Sequence, residues 1–225
     1  YTDEAKNATM PQEGDVAEGT AFFIVNNNDT TFYLRKTLAA KATNLNIAKS
    51  ANAINLLKYN EVPYATTKIA NPDGIQFFTG LTDLTASSNQ FTSADYATNE
   101  YPVVTIDFSG MSQLRNLTIN ACSITVLDLS TNQLVEKISC TGTSQGSKEK
   151  NTLRIAKIKG ANLISLDLSK NNLTRTNLEG LMTLQSPPLT SINLSSNKES
   201  DFEIPYQVFN STTLTTKKGV VAGAQ

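Results

Sequence analysis

The 225-residue chain contains no histidine and no tryptophan. Without histidine, the usual general base, the Ser-His and Cys-His nucleophile pairs and most zinc and transition-metal sites are excluded. Catalysis would be left to carboxylates, lysine or tyrosine. Charge is sparse as well: charged residues make up 17% of the chain, the formal net charge is -1, and no run of Lys or Arg occurs. Nucleic acid and anionic lipid need a concentrated basic surface and are not expected partners. No apolar run approaches the roughly 18 residues that span a bilayer, so membrane insertion of this segment is not expected. The opening residues YTDEAKNATMPQEGD are polar rather than leader-like, and Ser, Thr and Asn are prominent throughout. This composition reads as an exported protein, extracellular or at the cell surface, with its leader absent from the sequence given.

What the chain does have is a repeat. In LISLDLSKNNLT, Leu163, Leu166, Leu168, Asn171 and Leu173 fall at offsets 0, 3, 5, 8 and 10. The same template fits Leu81, Leu84, Ala86, Asn89 and Phe91, then Leu114, Leu117, Ile119, Cys122 and Ile124. It fits again at Ile124, Leu127, Leu129, Asn132 and Leu134, and at Leu189, Ile192, Leu194 and Asn197. Weaker copies run through Val103, Ile106, Phe108 and Met111, through Val135, Ile138, Cys140 and Thr143, and through Leu153, Ile155 and Ile158. Self-similarity in series decides the fold before any local propensity does.

The second apolar positions fall at 84, 106, 117, 127, 138, 153, 166 and 192. Neighbours about 10 residues apart are too close for full coils, so two half-coils must alternate, as in Leu117 to Ile138, 21 residues apart. In a strand, alternate side chains point to opposite faces, so Leu-x-Leu buries both leucines and turns the residue between them to water. The Asn that follows sits where the chain turns, and its amide can satisfy backbone groups the turn would leave unpaired. Stacked coils predict a ladder of such Asn.

This pattern is that of the leucine-rich repeat. LRNLTINACSIT, VLDLSTNQLVEKISC and ANLISLDLSKNNLT resemble the surface leucine-rich-repeat proteins of gut anaerobic bacteria and, more distantly, the internalins. The likeness covers about residues 68–200. It implies an α/β leucine-rich-repeat solenoid, a short right-handed curved coil with a parallel β-sheet and an N-terminal helical cap.

The ends fit that expectation. DTTFYLRKTLAAKA (29–42) reads as an amphipathic helix and NIAKSANAINLLKYN (46–60) as a second one ended by Pro63. GIQFFTGL resembles the family's join between cap and first rung. An open solenoid end exposes strand edges and core, so caps are required. The predicted organisation is a flexible segment at 1–19, a helical cap at 20–75, repeats at 76–200 and a closing coil at 201–225, with a frayed tail from Lys217. Three insertions interrupt the repeat: 92–104, 143–151 and 177–188, the last reading as a helical turn. Such insertions can serve as binding loops or as tolerated surface excursions.

Candidate chemistry is thin. Cys122 and Cys140 invite a disulfide, but one coil of 21 residues sets Ile119 over Cys140 and Cys122 over Thr143, an offset too long for a bridge. Two buried free thiols are expected. Asp107, Asp128 and Asp167 recur after the marker residue, a position that faces water on every strand. NNNDT (26–30) and DFE (201–203) lack the spacing of a calcium loop. No catalytic residue, metal ligand or cofactor is therefore expected, and the chain is read as non-enzymatic.

The expected working surface is the sheet side flanking the buried leucines. With the Asn-rich phase concave, it comprises Asn116, Thr118, Asn120, Lys137, Ser139, Thr141, Ser165, Asp167, Ser169, Ser191, Asn193 and Ser195. Asp83, Thr85 and Ser87 continue it, and Tyr96 and Tyr101 are candidate loop contacts. These residues point to a monomeric extracellular module that binds a protein partner, or alternatively to a glycan-binding or adhesive surface protein.

Overall fold

The computed structural model describes residues 23–25, 32–34, 36–48, 75–89, 91, 93, 102–142, 153–185 and 188–224. An antiparallel pair, β1 (Phe23–Val25) and β2 (Phe32–Leu34), comes first, followed by a short helix, α1 (Lys36–Lys41). Three-residue strands then recur along the chain: β3 (Asn44–Asn46), β4 (Asp83–Thr85), β5 (Asn116–Thr118), β6 (Val126–Asp128), β7 (Lys137–Ser139), β8 (Ile155–Lys157) and β9 (Ser165–Asp167). They continue through β10 (Leu178–Glu179), β11 (Ser191–Asn193) and β12 (Phe202–Ile204), a helical turn α2 (Tyr206–Phe209), and finally β13 (Thr216–Lys218) and β14 (Val220–Ala222).

Two parallel sheets take all the strands from β3 to β13 except β12, which pairs in parallel with β14. The larger has the order β13-β11-β9-β7-β5-β4-β3 and the smaller β10-β8-β6. From β5 to β11 the chain alternates between them, which is why the apolar marks at 117, 127 and 138, 10 or 11 residues apart, belong to different sheets. Parallel pairing fixes the register: Leu84, Leu117, Ile138, Leu166 and Ile192 lie in one column, each buried. The inward leucine two residues later forms a second buried column through Ala86, Ile119, Cys140, Leu168 and Leu194. Together with Leu127, Leu129, Ala156 and Leu178 from the other side, these residues make one continuous core. Dry burial of such columns is the main stabilising term.

The turns after the large-sheet strands share a device. Ser88, Ala121, Lys170 and Ser196 adopt positive φ of 63°, 53°, 60° and 60°. Each immediately precedes the repeat Asn or its Cys122 substitute. On the β7 rung that place is taken by Gly142, where an added Cβ would lie 1.7 Å from the Lys170 carbonyl oxygen.

The asparagines then pin adjacent coils together. Asn89 Nδ2 donates to the carbonyls of Ala86 and Ile47 at 2.8 and 2.9 Å, and Asn197 Nδ2 to those of Leu194 and Leu168 at 2.8 and 3.0 Å. Asn171 Nδ2 serves Leu168, Cys140 and Ser169, while its Oδ1 accepts from the Leu153 N–H at 3.2 Å. In the smaller-sheet phase, Asn132 Nδ2 donates to Phe108 and Met111 carbonyls.

Several expectations need correction. Residues 32–34 form a strand rather than part of a helix, because they pair with β1, and the helix spans only Lys36–Lys41. Residues 44–46 form a strand on β4 rather than leading into a helix; 49–60 lie outside the described residues. In the degenerate rung Leu153 and Ile158 are buried in the core, but the strand between them turns Ala156 inward rather than Ile155, which pairs with Val126 and is 38% exposed. Val103 likewise faces out and Val104 takes the core place. The region 177–188 contributes a strand and a short 3-10 turn at Leu181–Thr183. The expected tail is paired instead: β13 extends the large sheet from β11, and β14 lies against β12. Lys217, which replaces the inward leucine there, donates its Nζ to the Phe209 carbonyl at 2.6 Å and lies 4.8 Å from that ring's centroid.

Candidate binding face

The outward side chains of the large sheet form two aligned rows. One runs Asp83, Asn116, Lys137, Ser165 and Ser191; the other runs Thr85, Thr118, Ser139, Asp167 and Asn193. Asn120, Thr141, Ser169 and Ser195 follow in the turns. The residues singled out from the repeat are thus brought to one sheet, with one correction. Ser169 is buried at 4% exposure, because its hydroxyl is folded back onto Asp167. It is a brace of the turn, not a contact residue.

Much of this surface is occupied by its own hydrogen bonds. Asn116 Nδ2 donates to Asp83 Oδ1 at 2.7 Å, and Thr82 donates its hydroxyl to Asp83 Oδ2 at 2.6 Å. Asn120 Oδ1 accepts from the Ser139 hydroxyl and the Thr141 N–H at 2.8 and 2.9 Å. Asn193 Nδ2 reaches Asp167 Oδ2 at 3.2 Å across one coil. At the edge of the same sheet, Arg115 and Glu136 form an ion pair between consecutive coils.

A unit not anticipated from the sequence is Asp/Asn-x-Ser. Asp107, Asp128 and Asp167 each accept, through Oδ1, the N–H of the serine two residues on, at 2.9 to 3.0 Å. The serine hydroxyl adds a 2.6 Å bond to the same oxygen in Asp107 and Asp167, and Ser195 repeats both contacts on Asn193 Oδ1. This is an Asx turn, in which the side chain replaces a backbone acceptor as the strand ends. The recurring D-x-S of the repeat was the available signal.

Those contacts have an electrostatic consequence. The Ser109 hydroxyl and N–H hold the Asp107 carboxyl below its usual range, and Ser130 does the same for Asp128. Asp107 and Asp128 belong to the smaller-sheet phase and are exposed, while Asp167 stands on the large sheet. The three do not converge. Among the described residues, no group of three or more Cys, Asp or Glu is placed to hold a metal ion, and no helix is long and apolar enough to cross a membrane.

Cys122 and Cys140 are free and buried. Burial pushes the Cys122 thiol up to about 11 and raises that of Cys140 further. Neither is a nucleophile at neutral pH. Tyr96 and Tyr101 lie outside the described residues, as does the whole 143–151 insertion.

The sequence model of the family described as Leucine Rich Repeat matches residues 162–184, a segment that contains β9, β10 and the Asn171 turn. No curated protein matches the chain. The family match, the repeated short parallel strands and the scarcity of helix among the described residues support a leucine-rich-repeat protein with an α/β repeat fold.

Proposed function

We propose that this chain is a non-enzymatic binding module, extracellular or on the cell surface, that engages a protein partner through the outward side of its large sheet. In this reading it is a monomeric, curved solenoid with an N-terminal cap, akin to the surface repeat proteins of gut anaerobes. The observation that carries the reading is the alignment of five strands, β4, β5, β7, β9 and β11, whose outward residues are small, polar and in register. Leucine-rich repeats generally serve as binding modules, and function has to be argued from such a surface rather than from the fold. The face has few aromatic anchors, so modest affinity is expected.

The test is capture of extracellular-matrix proteins by the immobilised chain beside a variant carrying Thr118→Arg and Ser191→Arg. Both positions are on the outward rows, and neither side chain makes an internal hydrogen bond among the described residues. Loss of a captured partner in the folded variant supports the reading; unchanged capture moves binding to the loops or cap. The alternative, a glycan-binding or adhesive protein, is favoured instead if the partner lost is a glycan on an array.

A further inference from the structure

The inward column of the large sheet is closed differently at its two ends. The column that runs through Leu84 and Ile192 is continued by Leu45 on β3 and by Lys217 on β13. Leu45 is buried although no strand pairs beyond β3 among the described residues, so this end of the column is already covered. Lys217 is exposed, and among the described residues no strand pairs beyond β13 either. The side chain that ends the column here carries a charge. Its ammonium donates to the carbonyl of Phe209, the last residue of α2, and stands within cation–π reach of that ring. Lys218 beside it is exposed as well. A free strand edge at the end of an apolar column is a template for another strand.

We propose that Lys217 keeps this edge from pairing with β13 of a second copy of the chain. Two copies meeting there would be related by a two-fold axis, the commonest symmetry of self-association. Their edge strands would then run antiparallel, an arrangement found at the edges of otherwise parallel sheets. Centred on residue 217, the pairing sets Lys217 opposite its own counterpart, and like charges directly opposed across strands are destabilising. In a shifted register the ammonium still lies on the inward side of the joined sheet, where it loses water without gaining a partner. A leucine at the same place would instead extend the apolar column from one copy into the other. The covered β3 end is not an equivalent partner, so association through β13 closes at the dimer. The inference is independent of which face of the molecule binds a partner.

The test is sedimentation velocity of the full chain at rising concentration, for the unmodified protein, Lys217→Arg and Lys217→Leu, with circular dichroism to follow the fold. The unmodified protein and Lys217→Arg should stay monomeric. Lys217→Leu should dimerise reversibly, and amide hydrogen exchange at residues 216–218 should slow in the dimer. A folded Lys217→Leu that remains monomeric overturns the proposal, as does a dimer of the unmodified protein with the same protected amides. Association of Lys217→Leu that leaves exchange at 216–218 unchanged, or that grows beyond the dimer, overturns it too. If Lys217→Leu does not fold, Lys217→Met, which keeps an unbranched stem without the charge, is read by the same outcomes.

Discussion

Cys122 and Asn89 donate to the same oxygen. The Cys122 thiol reaches the Ala86 carbonyl at 2.9 Å, and the Asn89 amide reaches it at 2.8 Å from its own rung. Cys122 occupies the repeat-asparagine place but has one donor where asparagine has two. Among the described residues, none donates such a bond to the Ile119 carbonyl, which an asparagine at this position would serve by the pattern of Asn89, Asn171 and Asn197. Cys122→Asn should therefore stabilise the fold by about 1 kcal/mol, raising Tm by about 2–4 °C. A lower Tm by calorimetry would mean that the pocket around Cys122 is too tight for the amide.

Asn171 carries the opposite expectation. Its three donated bonds and one accepted bond join two coils and the start of the small-sheet strand β8. Asn171→Ala leaves several buried backbone groups unpaired and should cost about 2–4 kcal/mol. Urea unfolding measures this, and a loss below about 1 kcal/mol would show that water replaces the side chain.

Lys170 is exposed with φ at 60°. Left-handed backbone costs an L-residue about 1 kcal/mol that glycine does not incur. Lys170→Gly should be stabilising by up to that amount, and Lys170→Val destabilising, because a branched Cβ crowds the turn. If both variants unfold at the same urea concentration, the turn is not strained.

The Asp-x-Ser turns predict a pH response. Asp107 and Asp128 have folded-state pKa values lowered from the model-compound value of 3.8. A lowered folded pKa gives stability that is present above the unfolded value and lost as pH falls through the folded one. Ser109→Ala with Ser130→Ala should lower the urea midpoint at pH 7, and the gap to the unmodified protein should narrow as pH falls below 3.8 through the lowered folded-state values. A gap that stays constant with pH would assign the loss to the hydroxyls alone.

The thiols should be silent in the native state. With Cys122 pushed to about 11, roughly one thiol in ten thousand is ionised at pH 7. Ellman's reagent should label neither Cys122 nor Cys140 until denaturant is added, and then both. Rapid labelling of one thiol in the folded protein would show local opening of the rung that holds it.

Much of this was legible in the residues alone. Leu-x-Leu followed by Asn fixed which residues face the core, because strand alternation leaves no other way to bury both leucines of a rung. Marks 10 or 11 residues apart likewise required two alternating sides, since a coil cannot close in so few residues. The 21-residue offset of Cys122 and Thr143 was likewise enough to argue against a bridge between Cys122 and Cys140. Where the repeat decays, local pattern misled: Ile155 looked inward by hydrophobicity, yet pairing with Val126 sets Ala156 in the core. Phe32–Leu34 read as helix until its antiparallel partner β1 was in view, and the TKKGVVA ending looked unstructured because its strands pair with β11 and β12, remote in sequence. Only the tertiary structure could show Ser169 turned inward onto Asp167 and the Asp83 and Asp167 carboxylates bonded within the large sheet. Hydrogen-bond partners belong to neighbouring coils, about 20 to 40 residues away in the chain, and periodicity says which coil lies beside which without saying which atoms meet.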